Sequence, residues 1–522
     1  MKQSKRRPVR SSRRRFERSE RKVSNPAVSE LLPFNAWALG FIAAYLLSLL
    51  VIGWLGYRAK RDESLRDFYL GGEGVGFLVL LLTLYATQYS GNTLFGFSGR
   101  AYRQGFSWAI CIHFMTAIIV VYLFFAPKLY AISRRESLIT PSDFLQYRFG
   151  STRLSLCAAV LMVLAISNYL LAQLMAMGRA MEGLTTVHPT QAYRYGVISL
   201  ALIIVVYETM GGFRAVAWTD AIQGSVLLVG FAILMGMVFL RFGSLHEVTS
   251  RIFDEQPAKA LPPDAATCRQ WFSYVVLVGL GGALYPQSIQ RIYSARSSSS
   301  LRRSLAIMAF LPLTTTLIAV IVGVTGAIYL PGLRDEESDR VLTIICREVQ
   351  QESTFGYCLV VVIFAAVLAA LMSTADSVLL SISSMVTKDI YGRGLAPHAS
   401  EKELTRIGQL TSWVVIGSMT LVAVFFTDIK LVELLDQKFD LLVQLAPAFL
   451  IGIHWKKLRA TPTFWGMVAG VAIALAVRAL LGRFVWSLHA GIYGLLVNLA
   501  IAVGGSLVVR DHPQLPNYES GG

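Results

Sequence analysis

Apolar runs about as long as a bilayer is thick recur along this chain from residue 36 to residue 509. An α-helix needs roughly 20 apolar residues to cross the hydrocarbon core. Only 15% of the 522 residues are charged, whereas a soluble domain usually has about 25%. The sequence therefore predicts an all-α polytopic membrane protein with about 13 transmembrane helices. The predicted spans are about 36–57, 75–99, 106–132, 154–182, 191–209, 216–242, 271–294, 303–330, 354–387, 405–427, 431–454, 463–482 and 488–509.

The residues before the first span are strongly basic. Residues 1–34 hold 11 of the 48 Lys and Arg residues and only 3 acidic ones, which is half of the net charge of +16. This tail is rich in Ser and Arg and is predicted to be disordered. Because it precedes a membrane span, its expected partners are anionic lipid headgroups and not nucleic acid. The predicted divisions are this tail, a transmembrane domain over residues 35–510 and a short tail over residues 511–522.

The charge of the connections gives two conflicting signals about orientation. With the N-terminus outside, the cytoplasmic connections hold 22 Lys and Arg residues and the external ones hold 14, which fits the positive-inside rule. The 11 basic residues of the N-terminal tail reverse that total. The residues alone leave the orientation open, together with whether Cys268 and Cys346 pair across two connecting loops.

The second span carries polar residues at membrane depth. Within residues 85–99 it contains Gln88, Ser90, Asn92 and Thr93, with glycines at 91, 96 and 99. Polar groups and open backbone are tolerated in hydrocarbon only against protein or a water-filled cavity. The pattern predicts a helix interrupted near its middle, which frees carbonyls that can bind a cation. Close helix packing through small residues is the alternative.

The seventh span has the same character. Residues 279–288 combine three glycines with Tyr285, Pro286 and Gln287, and proline cannot donate a helical hydrogen bond. Interrupted helices at corresponding positions of two halves indicate a transport site, and two unrelated kinked helices are the alternative. If the first span is an addition, the next ten predict a 5+5 inverted repeat, with units at about 75–242 and about 271–454.

The ninth span carries small and polar side chains on one face. Ala370, Ser373, Thr374 and Ser377 are spaced i, i+3, i+4 and i+7 and therefore share a helical face. Their hydroxyl and carbonyl oxygens are hard ligands that suit a hard cation such as sodium. Hydroxyls that bond back to carbonyls one turn earlier in the same helix are the alternative. A cation site also needs oxygens from outside this helix. The carbonyls of Ala86 and Tyr89, at the predicted break, would provide them.

Two carboxylates stand near these segments. Asp376 lies deep in the ninth span, where burying it without a partner is costly, so it is a functional hypothesis. It could tune a cation site, pair with a basic group or carry a proton. Asp220 lies in the first turns of the sixth span, where an anion is favoured without any function. It could nonetheless lie near Ser377.

Taken together, these segments resemble the sodium/solute symporter family, which includes proline and pantothenate permeases and the sodium/glucose cotransporters. The resembling segments, in family order, are residues 86–105, 211–223, 372–391 and 444–455. The resemblance implies a leucine-transporter-type fold, an external N-terminus and sodium-driven uptake by alternating access. It also implies the sodium ligands, which would be the carbonyls of Ala86, Tyr89 and Ala370 and the hydroxyls of Ser373 and Thr374.

The resemblance also bears on a second ion and on the substrate. Members with a second sodium use positions that match Asp220, Asp376 and Ser377, but position 376 in this chain has a carboxylate in place of a hydroxyl. Proline-permease-like members have an aspartate where this chain has Gln88, which disfavours proline as the substrate.

The expected substrate site consists of amides and hydroxyls on the interrupted helices and their neighbours. Such groups suit amino acids, hydroxy acids and sugars alike, while the N-termini of half-helices favour a carboxylate. The candidate substrate-binding residues are Gln88, Asn92, Thr93, Gln173, Tyr285, Gln287 and Gln444.

We therefore expect a multi-pass protein of the cell membrane that imports a small polar organic solute, with sodium as coupling ion and without another cofactor. Proton coupling through Asp376 or Asp220 is one alternative, and a non-transporting solute sensor is another. An enzyme is not expected, because no nucleophile–base pair or metal cluster stands out. The substrate, the number of sodium ions and the oligomeric state are left open.

Overall fold

The computed structural model describes residues 34–182, 188–426 and 431–508, and the chain is helical through most of them. Of the predicted N-terminal tail only Phe34 is described, and the C-terminal tail of residues 511–522 lies outside the described residues. The predicted disorder of the N-terminal tail stays a prediction.

The helices of the first half are α1 (Ala36–Arg58), α2 (Leu65–Leu70), α3 (Phe77–Gln88), α4 (Gly91–Gln104), α5 (Ile110–Glu136), α6 (Pro141–Phe149), α7 (Thr152–Glu182), α8 (Pro189–Phe242) and α9 (Leu245–Glu255). Those of the second half are α10 (Ala265–Ala283), α11 (Pro286–Ser294), α12 (Ser298–Met308), α13 (Thr315–Tyr329), α14 (Asp335–Ser338), α15 (Val341–Glu352), α16 (Thr354–Met385), α17 (Glu401–Phe425), α18 (Leu431–Leu442), α19 (Gly452–His454), α20 (Ala460–Leu481), α21 (Ala490–Leu499) and α22 (Gly505–Val508).

Wider π-helical turns extend three of the spans, over Val386–Leu395, Pro447–Ile451 and Ala500–Gly504. Two short strands, β1 (Phe484–Val485) and β2 (Leu488–His489), pair antiparallel between α20 and α21.

Many of the helices begin at a residue whose side chain accepts an orphan backbone N–H. Asn35, Ser64, Asp264, Ser353 and Ser400 each accept from the amide three residues further on. Such caps satisfy one of the four donors that the first helical turn leaves unpaired. The polar residues between the apolar runs thus set where many of the spans start.

The described residues contain nine helices long and apolar enough to cross a membrane, and the bent pair α10 and α11 would make a tenth. α8 counts once there although Gly212 divides it. The broken pair α3 and α4, and the segment from α18 to α19, add the remaining spans. All thirteen predicted spans therefore have a helical counterpart.

Both predicted interruptions are confirmed. α3 ends at Gln88, Tyr89 and Ser90 are extended, and the helix resumes at Gly91. α10 and α11 meet at an angle of 49°, at the residues before Pro286. Each break opens one of the two five-helix units of the fold. The exact limits of the units, residues 75–242 and 271–454, stay a prediction.

α16 forms the centre of the molecule. In its most apolar stretch 78% of the residues are buried, against 22% for the peripheral spans α1, α17 and α20. It packs against α8, α7 and the broken helix α3. The polar face of such a helix lies against protein and not against lipid. Its hydroxyls are therefore placed where they could bind a cation, as predicted.

The connection between the fifth and sixth predicted spans is a kink at Gly212 inside the single helix α8. Gly212 has φ 54° and ψ −145°, a conformation that essentially only glycine adopts. A Cβ atom at this position would lie 2.5 Å from the carbonyl oxygen of Phe68. Two spans therefore connect without a loop, because glycine supplies both the backbone angle and the space.

Ion pairs link the connections at one end of the bundle, which we call the latched end. Arg66 and Arg134 both bind Glu73, and Arg214 Nη2 lies 2.6 Å from Asp67 Oδ1. These pairs join the residues before α3 to the end of α5 and to the kink in α8, so they hold the start of the first unit against its later helices at this end.

A second group at the latched end surrounds Asp143. Lys388 Nζ lies 2.7 Å from its carboxylate, and Arg393 binds its other oxygen. Burial raises the pKa of Asp143, but the positive charges of Lys388 and Arg393 outweigh this and hold the pKa below its usual range.

The two cysteines that were considered for pairing lie at the opposite end of the bundle. Both are free thiols, with Cys268 exposed and Cys346 buried.

Replacing Gly212 with alanine is expected to destabilise the protein by about 1–3 kcal/mol, because the kink would be strained and Cβ would press on Phe68. The midpoint of thermal unfolding of detergent-purified protein measures this. Gly417→Ala is the matched control, since Gly417 lies in α17 with no atom within 4 Å of a Cβ. Equal midpoints for Gly212→Ala and the unsubstituted protein would contradict the prediction.

Candidate functional site

Oxygens from α3 and α16 converge where α3 stops. The Ser373 hydroxyl lies 3.3 Å from the carbonyl oxygen of Ala86 and 3.2 Å from that of Ala370. The Thr374 hydroxyl lies 3.0 Å from the Ala370 carbonyl. All four residues are at most 1% exposed. The structure thus brings together four of the five expected sodium ligands.

The fifth, Tyr89, stands at the break itself. Its backbone is extended, with φ −105° and ψ 99°. The amide of Thr93, which in a continuous helix would donate to the Tyr89 carbonyl, donates instead to the Ser90 carbonyl at 2.9 Å. The interruption therefore diverts the usual helical donor of the Tyr89 carbonyl, as the sequence analysis expected.

This oxygen cluster suits a monovalent ion. It offers carbonyls and hydroxyls but no carboxylate, so a divalent ion would find no charged ligand among its five residues. Across the residues that the structure describes, no group of three His, Cys, Asp or Glu side chains could hold a metal ion. The chemistry favoured here is reversible binding of a hard cation with a single charge.

The residues expected at a second ion site also come together, but around an arginine. Asp220, Asp376 and Ser377 are at most 1% exposed. Arg291 Nη2 lies 2.6 Å from Asp220 Oδ2 and 2.5 Å from Ser377 Oγ. Arg291 was not among the predicted site residues, although an arginine inside a predicted span is a signal that could have indicated it.

A cavity lies beside the break. Gln88, Thr93 and Tyr285, three of the expected substrate-binding residues, line it. Ser90, Tyr169 and Lys438 also line it and were not among the expected ones. Lys438 is 3% exposed, and its ammonium lies 3.1 Å from the centre of the Tyr169 ring. As a lysine inside the eleventh predicted span, it too could have been found.

Three other expected substrate residues are placed away from the cavity wall. Gln444 donates to the carbonyls of Asp440 and Gly491 at 3.1 and 3.0 Å and so joins α21 to its own helix. Gln173 and Gln287 are fully buried, with 1% and 0% exposure, and neither is among the cavity-lining residues. The side chain of Asn92 lies outside the described residues.

The comparison with protein families bears directly on this arrangement. Residues 68–470 match the model of the sodium:solute symporter family. The chain belongs to that family. The matched range runs from before the first broken helix into α20, so it includes both breaks and all the residues of the oxygen cluster.

Curated relatives of this symporter have similar lengths. The osmoregulated proline transporter OpuE of Bacillus subtilis is 26% identical over 442 residues, which cover 83% of this chain and 87% of the relative. A sodium/proline symporter of Staphylococcus aureus is 27% identical, covering 86% and 87%. The uncharacterized symporter YhjB of Bacillus subtilis is 25% identical, covering 91% and 98%.

Two solved structures share the fold. A sodium-coupled sialic acid symporter in a substrate-bound, outward-open state has a TM-score of 0.78 at 20% identity, covering 93% of this chain and 100% of that one. Mhp1, a nucleobase-cation-symport-1 transporter in a closed conformation, has a TM-score of 0.51 at 16% identity, covering 86% and 96%. These identities support the fold and nothing finer.

Membership of the sodium:solute symporter family establishes what the chain does at the level of class. It is a multi-pass protein of the plasma membrane that couples the symport of a small solute to sodium. It is a transporter and not an enzyme. Sodium is its coupling ion, and the expectation of sodium coupling is confirmed at this level.

If Thr374 is one of the sodium ligands, replacing it with alanine is expected to raise the sodium concentration needed for half-maximal thermal stabilisation at least tenfold. The assay is thermal unfolding in sodium against potassium at constant ionic strength. Ser418→Ala removes a comparable hydroxyl, which bonds back to the Val414 carbonyl at 2.7 Å on α17, and should leave the sodium response unchanged. An unaltered response in Thr374→Ala would show that this hydroxyl does not bind the ion.

Proposed function

We propose that this symporter binds its coupling sodium ion between α3 and α16, through Ala86, Tyr89, Ala370, Ser373 and Thr374, and imports a small organic anion. The observation that carries the sodium site is the 3.3 Å approach of the Ser373 hydroxyl to the Ala86 carbonyl, at the point where α3 stops. The Ser373 hydroxyl on α16 and the Ala86 carbonyl at the break would then bind the same ion.

A sodium ion at this position would act as a clamp. It would hold the broken helix of the first unit against α16 of the second unit, and its release would let the two separate. Because the ion and the solute then favour the same arrangement, each raises the affinity for the other by the same factor. This coupling is what alternating access requires of the site.

The charge of the cavity supports an anionic substrate. Among its described lining residues are three basic side chains, Arg100, Arg103 and Lys438, and one acidic side chain, Asp339. Lys438 is the deepest of the three, packed 3.1 Å over the ring of Tyr169 and 5.2 Å from that of Tyr285. A carboxylate beside Gln88 and Ser90 would lie close to this ammonium.

The first break adds a second attraction for an anion. α4 begins at Gly91, and the first amides of a 14-residue helix carry the positive end of its dipole. The cavity lies beside this helix start. A carboxylate here would accept hydrogen bonds from the helix amides and would be attracted by the ammonium of Lys438. An uncharged sugar would gain little from either positive charge.

We do not assign proline as the substrate of this chain, although two of its relatives are named for proline. Proline in solution bears both a carboxylate and an ammonium, and the second needs an acceptor. Gln88 lines the cavity at the break, and a neutral amide there offers no negative charge to an ammonium. We therefore favour a small organic acid without an amine over a zwitterionic amino acid.

The direction of access follows from the two ends of the bundle. The cavity extends to Arg103 and Asp339, which form an ion pair at 2.9 Å on the side opposite the latched end. The connections expected in the cytoplasm hold 22 basic residues, and Arg66, Arg134, Lys388 and Arg393 of the latched end are among them. We propose that the latched end is cytoplasmic and that the cavity faces outward.

A thermal-shift screen with the purified full chain tests the substrate class. The probes are small mono- and dicarboxylic acids, hydroxy acids, amino acids and sugars, each in sodium and in potassium. Stabilisation by an organic acid in sodium only is expected. Stabilisation confined to sugars would contradict the anion proposal, and stabilisation equal in potassium would contradict the ion clamp.

Lys438→Gln is expected to weaken binding of the acid found in that screen at least tenfold, because the buried positive charge is lost while the length of the side chain is roughly kept. Sodium stabilisation without the acid should persist, since Lys438 is not among the sodium ligands. The control is Lys457→Gln, which removes an equal charge from an exposed position in the connection before α20. Equal acid binding in both variants would place the anion elsewhere.

A further inference from the structure

A cluster of oxygens next to the sodium site has the composition of a second cation site. Asp220 on α8 and Asp376 on α16 are both 0% exposed. The hydroxyls of Thr83, Tyr207 and Ser377 bind these carboxylates. A carboxylate at membrane depth cannot remain charged without a positive partner, so such a cluster calls for a cation.

The cation in this structure belongs to the chain. Arg291 is 1% exposed and donates from Nη2 to Asp220 Oδ2 at 2.6 Å and to Ser377 Oγ at 2.5 Å. Its Nε donates to Thr83 Oγ1 at 2.8 Å, and its Nη1 to the Gln287 carbonyl at 2.9 Å. The guanidinium therefore contacts α3, α8 and α16 from its own helix α11.

These nitrogens lie where a metal ion would have to bind. Hard cations bind oxygens at about 2.3–2.6 Å, and the Asp220 and Ser377 oxygens each have a guanidinium nitrogen at a comparable distance. Asp376 accepts from Tyr207 at 2.5 Å on one oxygen and from Ser377 at 3.1 Å on the other. A sodium ion in this cluster would share its ligands with a fixed positive charge.

The cluster is adjacent to the sodium site. Ser377 lies one helical turn after Ser373 on α16, and its hydroxyl donates to the Ser373 carbonyl at 2.6 Å. The two candidate cation positions are thus joined through neighbouring turns of one helix.

We propose that Arg291 is a tethered cation that permanently fills a second ion site, so that this symporter binds one sodium ion per chain where an empty Asp220 cluster would admit two. The inference rests on the proposed sodium site for the identity of the one ion that remains. Arg291 is here a specificity-determining residue, since it fixes the number of ions and touches neither the substrate cavity nor the sodium ligands.

Removing the guanidinium should convert the cluster into a metal site. Asp220 Oδ1 has no hydrogen-bond partner among the described residues. Without Arg291, Asp220 Oδ2 and Ser377 Oγ would also be released, while Asp376 stays beside them. Arg291→Gln would therefore leave buried oxygens with a net negative charge and no bound cation.

Equilibrium binding of ²²Na⁺ to the purified full chain, counted per molecule at saturation, tests the inference. The unsubstituted protein is expected to bind one sodium with a Hill coefficient near one, and Arg291→Gln to bind two. Arg291→Lys keeps a positive charge and should bind one. Two ions bound by the unsubstituted protein, or one ion bound by folded Arg291→Gln, would overturn the proposal.

Two further variants separate this inference from the proposed sodium site. Where Arg291→Gln yields no folded protein, the counts for the unsubstituted protein and for Arg291→Lys decide the matter: one ion in both supports the proposal and two in either overturns it. Thr374→Ala reports on the other site alone. A count of one that Thr374→Ala does not weaken would refute the assigned sodium ligands while leaving the single-ion count standing.

Discussion

The interruption of α3 against α16 is the constraint on which the rest of the structure depends. A backbone carbonyl in hydrocarbon costs several kcal/mol when nothing binds it, so a helix can break at membrane depth only where a neighbour supplies polar groups. α16 supplies such a group through the Ser373 hydroxyl, and for this reason it is the most enclosed of the described spans. The break in α3 therefore requires the polar face of α16, and that polar face requires α16 to lie at the centre of the molecule.

Charges at membrane depth then determine how the remaining helices meet. Arg291, Asp220 and Asp376 are each buried, and each is bound by side chains from other helices. Because removing one partner of such a pair leaves the other unpaired in a low dielectric, these contacts specify which helix faces which. Arg291 stands just after the second break, as Ala86 stands just before the first. Both interruptions therefore place polar groups against neighbouring turns of α16.

The features predicted from the sequence are those that local residues determine. The break after Gln88 follows from glycines and polar side chains within fifteen residues, and the shared face of Ser373 and Thr374 from their spacing. The partner of Arg291 was beyond reach, because nothing near this residue in the chain indicates that it meets Asp220. Amide side chains were ambiguous in the same way, since Gln88 lines the cavity whereas Gln444 binds the backbone of α21. Which of two neighbouring helices an amide faces depends on tertiary packing that periodicity does not contain.

The tethered arginine and the basic cavity together bear on how transport would respond to voltage. A positive charge that is part of the chain is not released with the solute, so only the free ion and the substrate contribute net transported charge. One sodium with one monovalent acid would then carry no net charge across the membrane. Each uncompensated charge would otherwise contribute about 2.3 kcal/mol per 100 mV. On this arrangement the sodium gradient alone drives uptake of a monovalent acid. A second free sodium ion would add the membrane potential to the driving force, whereas Arg291 in its proposed role would exclude that ion and compensate Asp220 itself.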